Sequence, residues 1–342
     1  MSDAITKITD VLVPSKFLPY MQERTAQLSA FQSSGVIQAA PEIDRMIAGG
    51  GKTYDMPFWQ DIAGPNQTGS SVLSDSAALE TKKITAAEQI AIAHMRGEAW
   101  AANSLVKLMT AEDPMAAIAD RIAAYWAIDE QTMLIKTADG IFADNAANDS
   151  GDLINNIAAE ATGSVSEATK FSAEAAIDAE AKLGDAGKKL GAIAMHSQVY
   201  YRIKKLGLID FIPDEDGKSQ IAFYQGKRII VDDALSRAGT TSGTVYKTFL
   251  FAGGAFQKGE QLLTDPIEGG FGSEGLEMAR QAKSHISEII SRRRFILHPH
   301  GTKFTSSSLA GKSPTDAELA TAANWDRVFE KKNLRIVLLL TN

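Results

Sequence analysis

The sequence predicts an α+β fold, and three observations point to that class. A long helical pattern over residues 113–136 stands between segments that alternate like β-strands. Short strand and helix patterns follow it, and no strand–helix–strand unit repeats along the chain. The 342 residues, of which 44% are hydrophobic, are enough to bury a sizeable core.

Composition excludes several function classes. The net charge is −7, from 35 basic and 42 acidic residues, which argues against a dedicated DNA-binding protein. The chain has no cysteine, so disulfides, thiolate metal sites and cysteine nucleophiles are excluded. The opening MSDAITKITD lacks the apolar run of a secretory signal, and no segment has the ~18 apolar residues of a membrane span. We therefore expect an intracellular protein that contacts no membrane.

Residues 1–51 form the first predicted segment, an N-terminal arm. Two prolines interrupt its apolar residues, so a compact domain is not expected to start here. Four large apolar side chains on this thin segment must pack against the rest of the subunit or against a neighbour: Phe17, Leu18, Leu28 and Phe31. We expect them to contact another subunit.

The arm ends at AGGGKTYDMPFW, which raises the possibility of a nucleotide-binding phosphate loop. That motif needs a further glycine where this chain has Met46, and it must follow a strand and open a helix. Here a short helix pattern at residues 41–47 comes first, and a strand pattern follows. We therefore interpret Gly49, Gly50 and Gly51 as a helix stop and a flexible hinge.

Residues 52–83 are predicted to form an extended loop of two strands around a turn-rich middle. An isolated two-stranded ribbon is at best marginally stable in water, so it is expected to lie across another surface. Its opening strand carries four large side chains, Tyr54, Met56, Phe58 and Trp59, which we expect to contact a neighbouring subunit.

The helix at residues 113–136 has a clear start. Asp113 is a suitable N-cap and Pro114 occupies the first helical position. Apolar residues then recur at three- and four-residue steps among alanines, which favour helix. We expect a long structural strut that ends before the Gly/Asn/Asp-rich residues 139–150.

An alanine-rich helix at about 167–182 leads into a mixed segment at residues 191–290. The predicted elements there are strands at 192–195, 221–224, 228–231 and 245–251, and a helix at 197–206. Residues 291–342 continue a strand pattern from 287–297, open a short helix at 313–316 and close on LRIVLLLT.

Two stretches resemble metal-binding motifs. His298 and His300 resemble a His-x-His pair on one side of a strand, but no carboxylate–histidine cluster accompanies them in sequence. The acidic turn at residues 213–217 resembles a calcium loop, yet Ile212 and Phe223 would have to be its first and twelfth ligands. Neither a nucleophile elbow nor a dinucleotide-binding motif is present. The sequence predicts neither a catalytic centre nor a cofactor.

The basic run Arg292-Arg293-Arg294 could contact nucleic acid. In a strand its side chains alternate between faces, so we favour ion pairs with carboxylates of a partner.

The order of these parts resembles the major capsid proteins of tailed bacteriophages, with the Hong Kong 97 fold. Residues 53–62 and 96–100 are similar to the two sides of that family's extended loop, and 113–142 to its spine helix. The other similar stretches are residues 195–200 and 230–233 (axial domain), 298–301 (a His-Pro-x-Gly turn) and 325–340 (closing segment of the peripheral domain).

The resemblance implies an arm at 1–51, an extended loop at 52–83, a peripheral domain at 84–190 and 291–342, and an axial domain at 191–290. It implies a shell of hexamers and pentamers in the virion, assembled in the host cytoplasm around double-stranded DNA that is contacted non-specifically. Portal and possibly decoration proteins would be partners. The short arm implies a separate scaffold protein or another route to assembly, and no lysine, asparagine and glutamate trio for self-crosslinking can be assigned.

Two rival functions remain open at this point. A cellular nanocompartment shell would share the fold but enclose cargo enzyme. A metal-dependent hydrolase would use His298 and His300, and stoichiometric zinc would support it.

Overall fold

A computed structural model describes residues 5–6, 31, 34–60, 73, 75, 83–103, 114–213, 220–261, 276–280 and 285–342. Its strands are β1 (Ile5–Thr6), β2 (Ile37–Ala39), β3 (Thr53–Trp59), β4 (Ala86–Asn103), β5 (Ile154–Asn156), β6 (Leu190–Met195), β7 (Asp210–Pro213), β8 (Gln220–Tyr224), β9 (Lys227–Val231), β10 (Ser236–Ala238), β11 (Thr244–Ala252), β12 (Phe256–Gln261), β13 (Leu276–Arg280), β14 (Ile286–Pro299), β15 (Thr302–Phe304), β16 (Trp325–Arg327) and β17 (Ile336–Thr341). Its α-helices are α1 (Pro41–Ala48), α2 (Pro114–Asn148), α3 (Ala173–Ala181), α4 (Ser197–Lys205) and α5 (Asp316–Leu319). Short 3-10 helices cover Thr162–Ser164, Glu167–Thr169, Gly184–Lys189, Ala322–Asn324 and Lys331–Asn333.

Two large sheets organise the described residues. The seven-stranded sheet has the order β1-β4-β14-β12-β2, with β3 paired to β4 and β13 paired to β14. The eight-stranded sheet has the order β5-β17-β11-β6-β9-β8-β7, with β10 paired to β11. Both sheets contain parallel and antiparallel pairs, such as β6 with β9 and β6 with β11. Mixed sheets with separate helices confirm the predicted α+β class.

The long helix was predicted too short. It was expected over 113–136, but α2 runs through Gly140 to Asn148. A Cβ at position 140 would lie 2.0 Å from the carbonyl oxygen of Leu319 and 2.5 Å from Nε1 of Trp325. Glycine stands inside the helix because α5 and the following turn pack directly on its backbone, and not because the helix ends there.

The main core lies between the second half of α2 and the eight-stranded sheet. Met133, Leu134 and Phe142 of α2 are buried in it, and the rings of Phe142 and Phe249 stack with their centres 5.7 Å apart. The first half of α2 packs instead on the other sheet, where Trp126 Nε1 donates a hydrogen bond to Ser291 Oγ over 2.8 Å. The helix therefore joins the two sheets.

The extended loop pairs differently from the prediction. Its return strand was expected to end near residue 84, but β3 pairs with the start of β4, from Thr53 opposite Ile92 to Trp59 opposite Ala86. The same strand β4 then pairs with β14 as far as Asn103. One continuous strand thus connects the loop to the body of the subunit, which makes the base of the loop part of the fold.

Most short elements lie close to their predicted positions. The turn between β8 and β9 has left-handed backbone at Gln225 (φ 49°) and Gly226 (φ 76°), as the predicted glycine hairpin requires. Thr315 caps α5 with a reciprocal pair of hydrogen bonds to Glu318. The alanine-rich helix is shorter than expected, at 173–181.

Some predictions fall on residues outside this description. They are the contact residues Phe17, Leu18 and Leu28, most of the loop between 61 and 82, and the acidic turn at 214–217. Within the described ranges, no helix is long and apolar enough to cross a membrane.

Candidate assembly surface

The glycine joint lies between two segments that both pack on the subunit. Helix α1 ends at Ala48. Gly50 and Gly51 follow with backbone φ angles of 79° and 110°, which residues other than glycine rarely adopt. The sequence of helix, glycines and strand is the reverse of a phosphate-binding loop. Ile43 and Ile47 of α1 are buried against β3, β4 and β14.

Arg294 ties the joint to the seven-stranded sheet. Its Nη2 donates hydrogen bonds to the carbonyl oxygen of Gly51 and to the phenolic oxygen of Tyr54, each over 2.7 Å. The Tyr54 hydroxyl donates in turn to the Gly51 carbonyl over 3.1 Å. These three bonds fix the backbone at the start of β3.

Two of the predicted contact residues belong to the subunit's own core. Phe31 is fully buried and its ring meets that of Phe251 edge-on, with 6.0 Å between the centres. Tyr54 is buried beside α1. The prediction that these two contact a neighbour is corrected, because the chain itself supplies the apolar surface that covers them.

The outer part of β3 is less buried than its start. Met56 and Phe58 are half-buried, and the Phe58 ring lies 4.7 Å from the Phe329 ring. Trp59, the last residue of the strand, keeps 69% of its surface exposed. Tryptophan is enriched in the buried centres of protein interfaces, because it offers a large rigid apolar surface. The exposed Trp59 is therefore the leading candidate contact on the ribbon.

The arginine run is largely used inside the subunit. Arg293 Nη2 lies 2.5 Å from Glu260 Oε1, and its guanidinium also stacks over the ring of Trp126. Arg294 serves the glycine joint. The expectation that these side chains meet a partner's carboxylates is therefore corrected for Arg293, since Glu260 of its own chain is its partner.

A buried charge cluster adjoins Arg293. Glu130 of α2 is 1% exposed, and its carboxylate accepts a hydrogen bond from Lys258 Nζ of β12 over 2.7 Å. Arg293 approaches the same carboxylate at 3.9 Å. Desolvation makes a charge so deeply buried costly unless it is paired, so this cluster fixes the register between α2 and the sheet. Sequence reasoning missed it, because the members lie far apart along the chain.

The histidine pair is structural. His298 is buried, with Nε2 3.4 Å from the side-chain oxygen of Gln89, and that oxygen also accepts from the Gly301 amide over 2.8 Å. Burial lowers the pKa of His298 to about 3 and that of His300 to about 4, so both are neutral at pH 7. Among the residues that the structure describes, no group of three or more potential ligands could hold a metal ion.

Comparisons with known proteins agree over nearly the whole chain. The family described as major capsid protein 13-like matches residues 19–334. The major capsid protein of Bacillus phage SPP1 is 39% identical over 337 residues, which are 98% of this chain and 97% of that protein.

Solved structures extend the likeness to the fold. The capsid of Ralstonia phage GP4 has a TM-score of 0.59 at 11% identity, covering 96% of this chain and 95% of that one. The capsid subunit of cyanophage Pam1 has a TM-score of 0.58 at 10% identity, covering 100% and 99%. At such low identity these similarities concern the fold alone, and they confirm the predicted Hong Kong 97 type.

Proposed function

The chain belongs to the major capsid protein 13-like family, and from that premise we propose how its surfaces build the shell. It is a phage major capsid protein that forms the icosahedral head shell of the virion, as predicted, and it is not an enzyme. The rival readings, a nanocompartment shell and a metal-dependent hydrolase, are not favoured.

The ribbon is the proposed contact between subunits. The observation that carries this proposal is that Trp59, at the end of β3, is 69% exposed. The other aromatic residues of the strand are covered: Phe58 is half-buried and Tyr54 is buried. A neighbour that covered Trp59 would bury a large apolar surface, at about 25 cal/mol per Å². Met56 and Phe58 alternate with Trp59 onto the other face of β3, where they pack on the subunit itself, so the proposed contact depends on Trp59. Closed shells multiply such contacts, so that each one can be modest.

Gly49, Gly50 and Gly51 form the proposed hinge, and Arg294 restrains it through hydrogen bonds. Hexamers and pentamers place the same chain in non-identical surroundings, so the ribbon must leave the body at more than one angle. Gly49, Gly50 and Gly51 provide that freedom. The hydrogen bonds from Arg294 to Gly51 and Tyr54 favour one angle, and their loss would release the ribbon.

The domain assignment and the remaining partners follow from the family resemblance. We assign the arm to 1–51, the extended loop to 52–83, the axial domain to 191–290, and the peripheral domain to 84–190 with 291–342. Scaffold, portal and decoration proteins are the proposed partners. Packaged DNA would touch the shell only non-specifically, which suits a chain with a net charge of −7.

Sedimentation velocity tests the assembly proposal. The chain would be expressed alone and together with the phage's other head proteins, and the fraction in particles would be compared. The proposal expects rapidly sedimenting shells with the head proteins present. Small oligomers under both conditions would contradict it.

A further inference from the structure

A cavity of about 440 Å³ lies where several parts of the chain meet. It is lined by the 3-10 helix Gly184–Lys189, the end of β11 and the segment 329–335, which contains the 3-10 helix Lys331–Asn333. His300, directly after β14, also lines it. Small-molecule sites have volumes of about 300–1,000 Å³, so the cavity is large enough to hold a ligand of that class.

The lining combines cations with apolar walls. Its cations are Lys189, Lys332 and Arg335. Among the other described residues that line the cavity, His300 and Asn333 are polar and none is acidic. The remaining side chains are apolar, from Leu183, Ala186, Ala252, Phe329 and Leu334. A chain with a net charge of −7 therefore concentrates positive charge at this cavity.

Carboxylates near the cavity neutralise only part of that charge. Asp185, outside the lining, has its Oδ1 atom 3.0 Å from Lys332 Nζ. Both side chains are well exposed, so solvent screens this pair. Glu330 is the other carboxylate in these two segments, and it does not line the cavity either. The three cations of the lining outnumber these two carboxylates, and the cavity keeps a positive potential.

Two groups in the lining have capacity for a ligand. Arg335 Nη1 donates to the carbonyl oxygens of Gly253 and Gly254, each over 3.1 Å, which holds the guanidinium at the cavity. No described residue accepts a hydrogen bond from its Nη2 group. The Nδ1 atom of His300 is buried, and no described residue forms a hydrogen bond with it. A buried polar atom without a partner is costly, and a ligand oxygen would remove that cost.

We propose that this cavity binds a phosphate group, carried by a small phosphomonoester or present as free phosphate. A phosphomonoester carries a charge of about −1.5 to −2 at neutral pH and three strong acceptor oxygens. Lys189, Lys332 and Arg335 would surround these oxygens with donors, and hydrogen bonds between ionised groups are the strong ones. A carboxylate has one charge and two oxygens, so it would leave part of this donor set unused.

The shape of the cavity favours a small ligand over a nucleic-acid backbone. Proteins that bind along DNA neutralise several phosphates, and they need an extended basic surface to do so. Here the cations surround one recess, which has room for an organic group beside the phosphate. Phe329 and Leu334 would cover that group with apolar surface.

The cavity adjoins the base of the ribbon. The ring of Phe329 belongs to its wall, and the centre of that ring lies 4.7 Å from the Phe58 ring and 5.0 Å from the His300 ring. A ligand packed on Phe329 would restrain this ring and, through it, Phe58 of β3. We therefore expect the ligand to order β3 as well as the cavity.

Isothermal titration calorimetry at constant ionic strength tests the site with the purified full-length chain. The site lies within one subunit, so this result is independent of shell assembly and of the proposed function. The probes are inorganic phosphate, adenosine monophosphate and adenosine. We expect saturable binding of both phosphate-bearing probes and none of adenosine. Tighter binding of the nucleotide would identify the ligand as a phosphomonoester, and equal affinity would identify it as free phosphate. No saturable binding of either probe would overturn the proposal.

Matched pairs of lysines test where the phosphate binds. Lys189→Met with Lys332→Met removes two cations of the lining. Lys188→Met with Lys331→Met removes the same charge from the same two 3-10 helices, outside the lining. We expect the first pair to weaken phosphate binding at least about tenfold and the control pair less than about twofold. Equal weakening in the two folded variants, as judged by circular dichroism, would overturn the proposal.

Asp185→Asn should change the affinity in the opposite direction. The substitution removes the carboxylate that pairs with Lys332, so phosphate should bind about twofold more tightly. Weaker binding would contradict a site that depends on these charges.

Hydrogen-exchange mass spectrometry locates the bound nucleotide. We expect slower amide exchange over residues 184–190 and 329–335, which line the cavity, and over 53–59, which Phe329 contacts through Phe58. Slower exchange confined to other segments would overturn the proposed site.

Discussion

Arg294 and Tyr54 are joined by a hydrogen bond of 2.7 Å, from the Nη2 group of the arginine to the phenolic oxygen of the tyrosine. The same Nη2 group donates to Gly51 in the joint that precedes the ribbon. The glycines alone therefore do not determine the direction of the ribbon, because one side chain of β14 holds its base. The proposed hinge requires both properties, a defined starting direction and the freedom to leave it.

Replacing Arg294 by methionine should release the start of the ribbon. We expect faster amide exchange over residues 50–56 and a loss of about 1–2 kcal/mol of unfolding free energy, because charged hydrogen bonds in a partly exposed site are lost. Hydrogen-exchange mass spectrometry measures the first effect and urea unfolding the second. Arg292→Met, on the exposed neighbour in the same strand, is the control. Equal amide exchange rates over residues 50–56 in the two variants would contradict the proposed role of Arg294.

Trp59→Ala should leave a folded subunit that assembles poorly. An exposed side chain contributes little to folding, so the unfolding free energy should change by less than about 0.5 kcal/mol. Loss of an aromatic contact at every interface should lower the particle yield at least tenfold. The matched control is Trp325→Ala, which removes a buried tryptophan and should cost about 3–5 kcal/mol of unfolding free energy. Normal assembly with an earlier thermal transition would place Trp59 in the subunit's own core.

The substitution Gly140→Ala should have opposite effects through helix propensity, which favours alanine, and through packing against α5, which leaves no room for a Cβ. Alanine should favour a helix interior over glycine by about 1 kcal/mol. Its Cβ would meet the Leu319 carbonyl oxygen at 2.0 Å, however, so α5 must move away from α2. We expect a net loss of more than about 2 kcal/mol in urea unfolding. Ala146→Gly, at an exposed position of the same helix, should cost only about 1 kcal/mol. A Gly140→Ala variant that is more stable than the wild type would show that Leu319 and Trp325 do not pack closely on this position.

Acid should destabilise the subunit through its buried histidines. Burial lowers the pKa of His94 and of His298 from the ordinary 6.5 to about 3. Their neutral forms stabilise the fold fully above pH 6.5, and that stabilisation is lost as the pH falls from 6.5 towards 3, because the unfolded chain takes up protons that the folded chain cannot. Each histidine should cost about 1.4 kcal/mol per pH unit in that window.

Urea unfolding at pH 7.5 and 5.0 measures this loss, and His94→Phe provides the comparison. Phenylalanine cannot titrate and can occupy the same space beside Phe295. We expect the variant to lose about 2 kcal/mol less than the wild type between the two pH values. Equal losses would mean that His94 is not held neutral.

The sequence predicted correctly those elements whose ends are set by neighbouring residues. The proline start of α1, the glycine turn between β8 and β9 and the cap of α5 are all recorded in neighbouring residues. The full length of α2 was missed, since Gly140 is a packing glycine whose partners, Leu319 and Trp325, lie about 180 residues further along the chain. Long-range contacts of this kind leave no periodic signal.

Only part of the candidate surface could be predicted from the sequence, because burial also depends on long-range contacts. Apolar side chains on a thin segment could be recognised, but the sequence could not tell which of them the subunit covers. Phe31 and Tyr54 are covered and Trp59 is not. The clusters around Glu130 and Arg294 assemble residues from distant elements, so only the fold brings them together.

A cryo-electron microscopy reconstruction of particles assembled with the phage's other head proteins tests the central claim most directly. The account predicts a closed icosahedral shell in which the ribbon crosses a neighbouring subunit and Trp59 is buried in that contact. A shell in which Trp59 remains exposed to solvent would contradict the proposed ribbon contact. Discrete small oligomers, with every head protein present, would contradict the assembly of this chain into a shell.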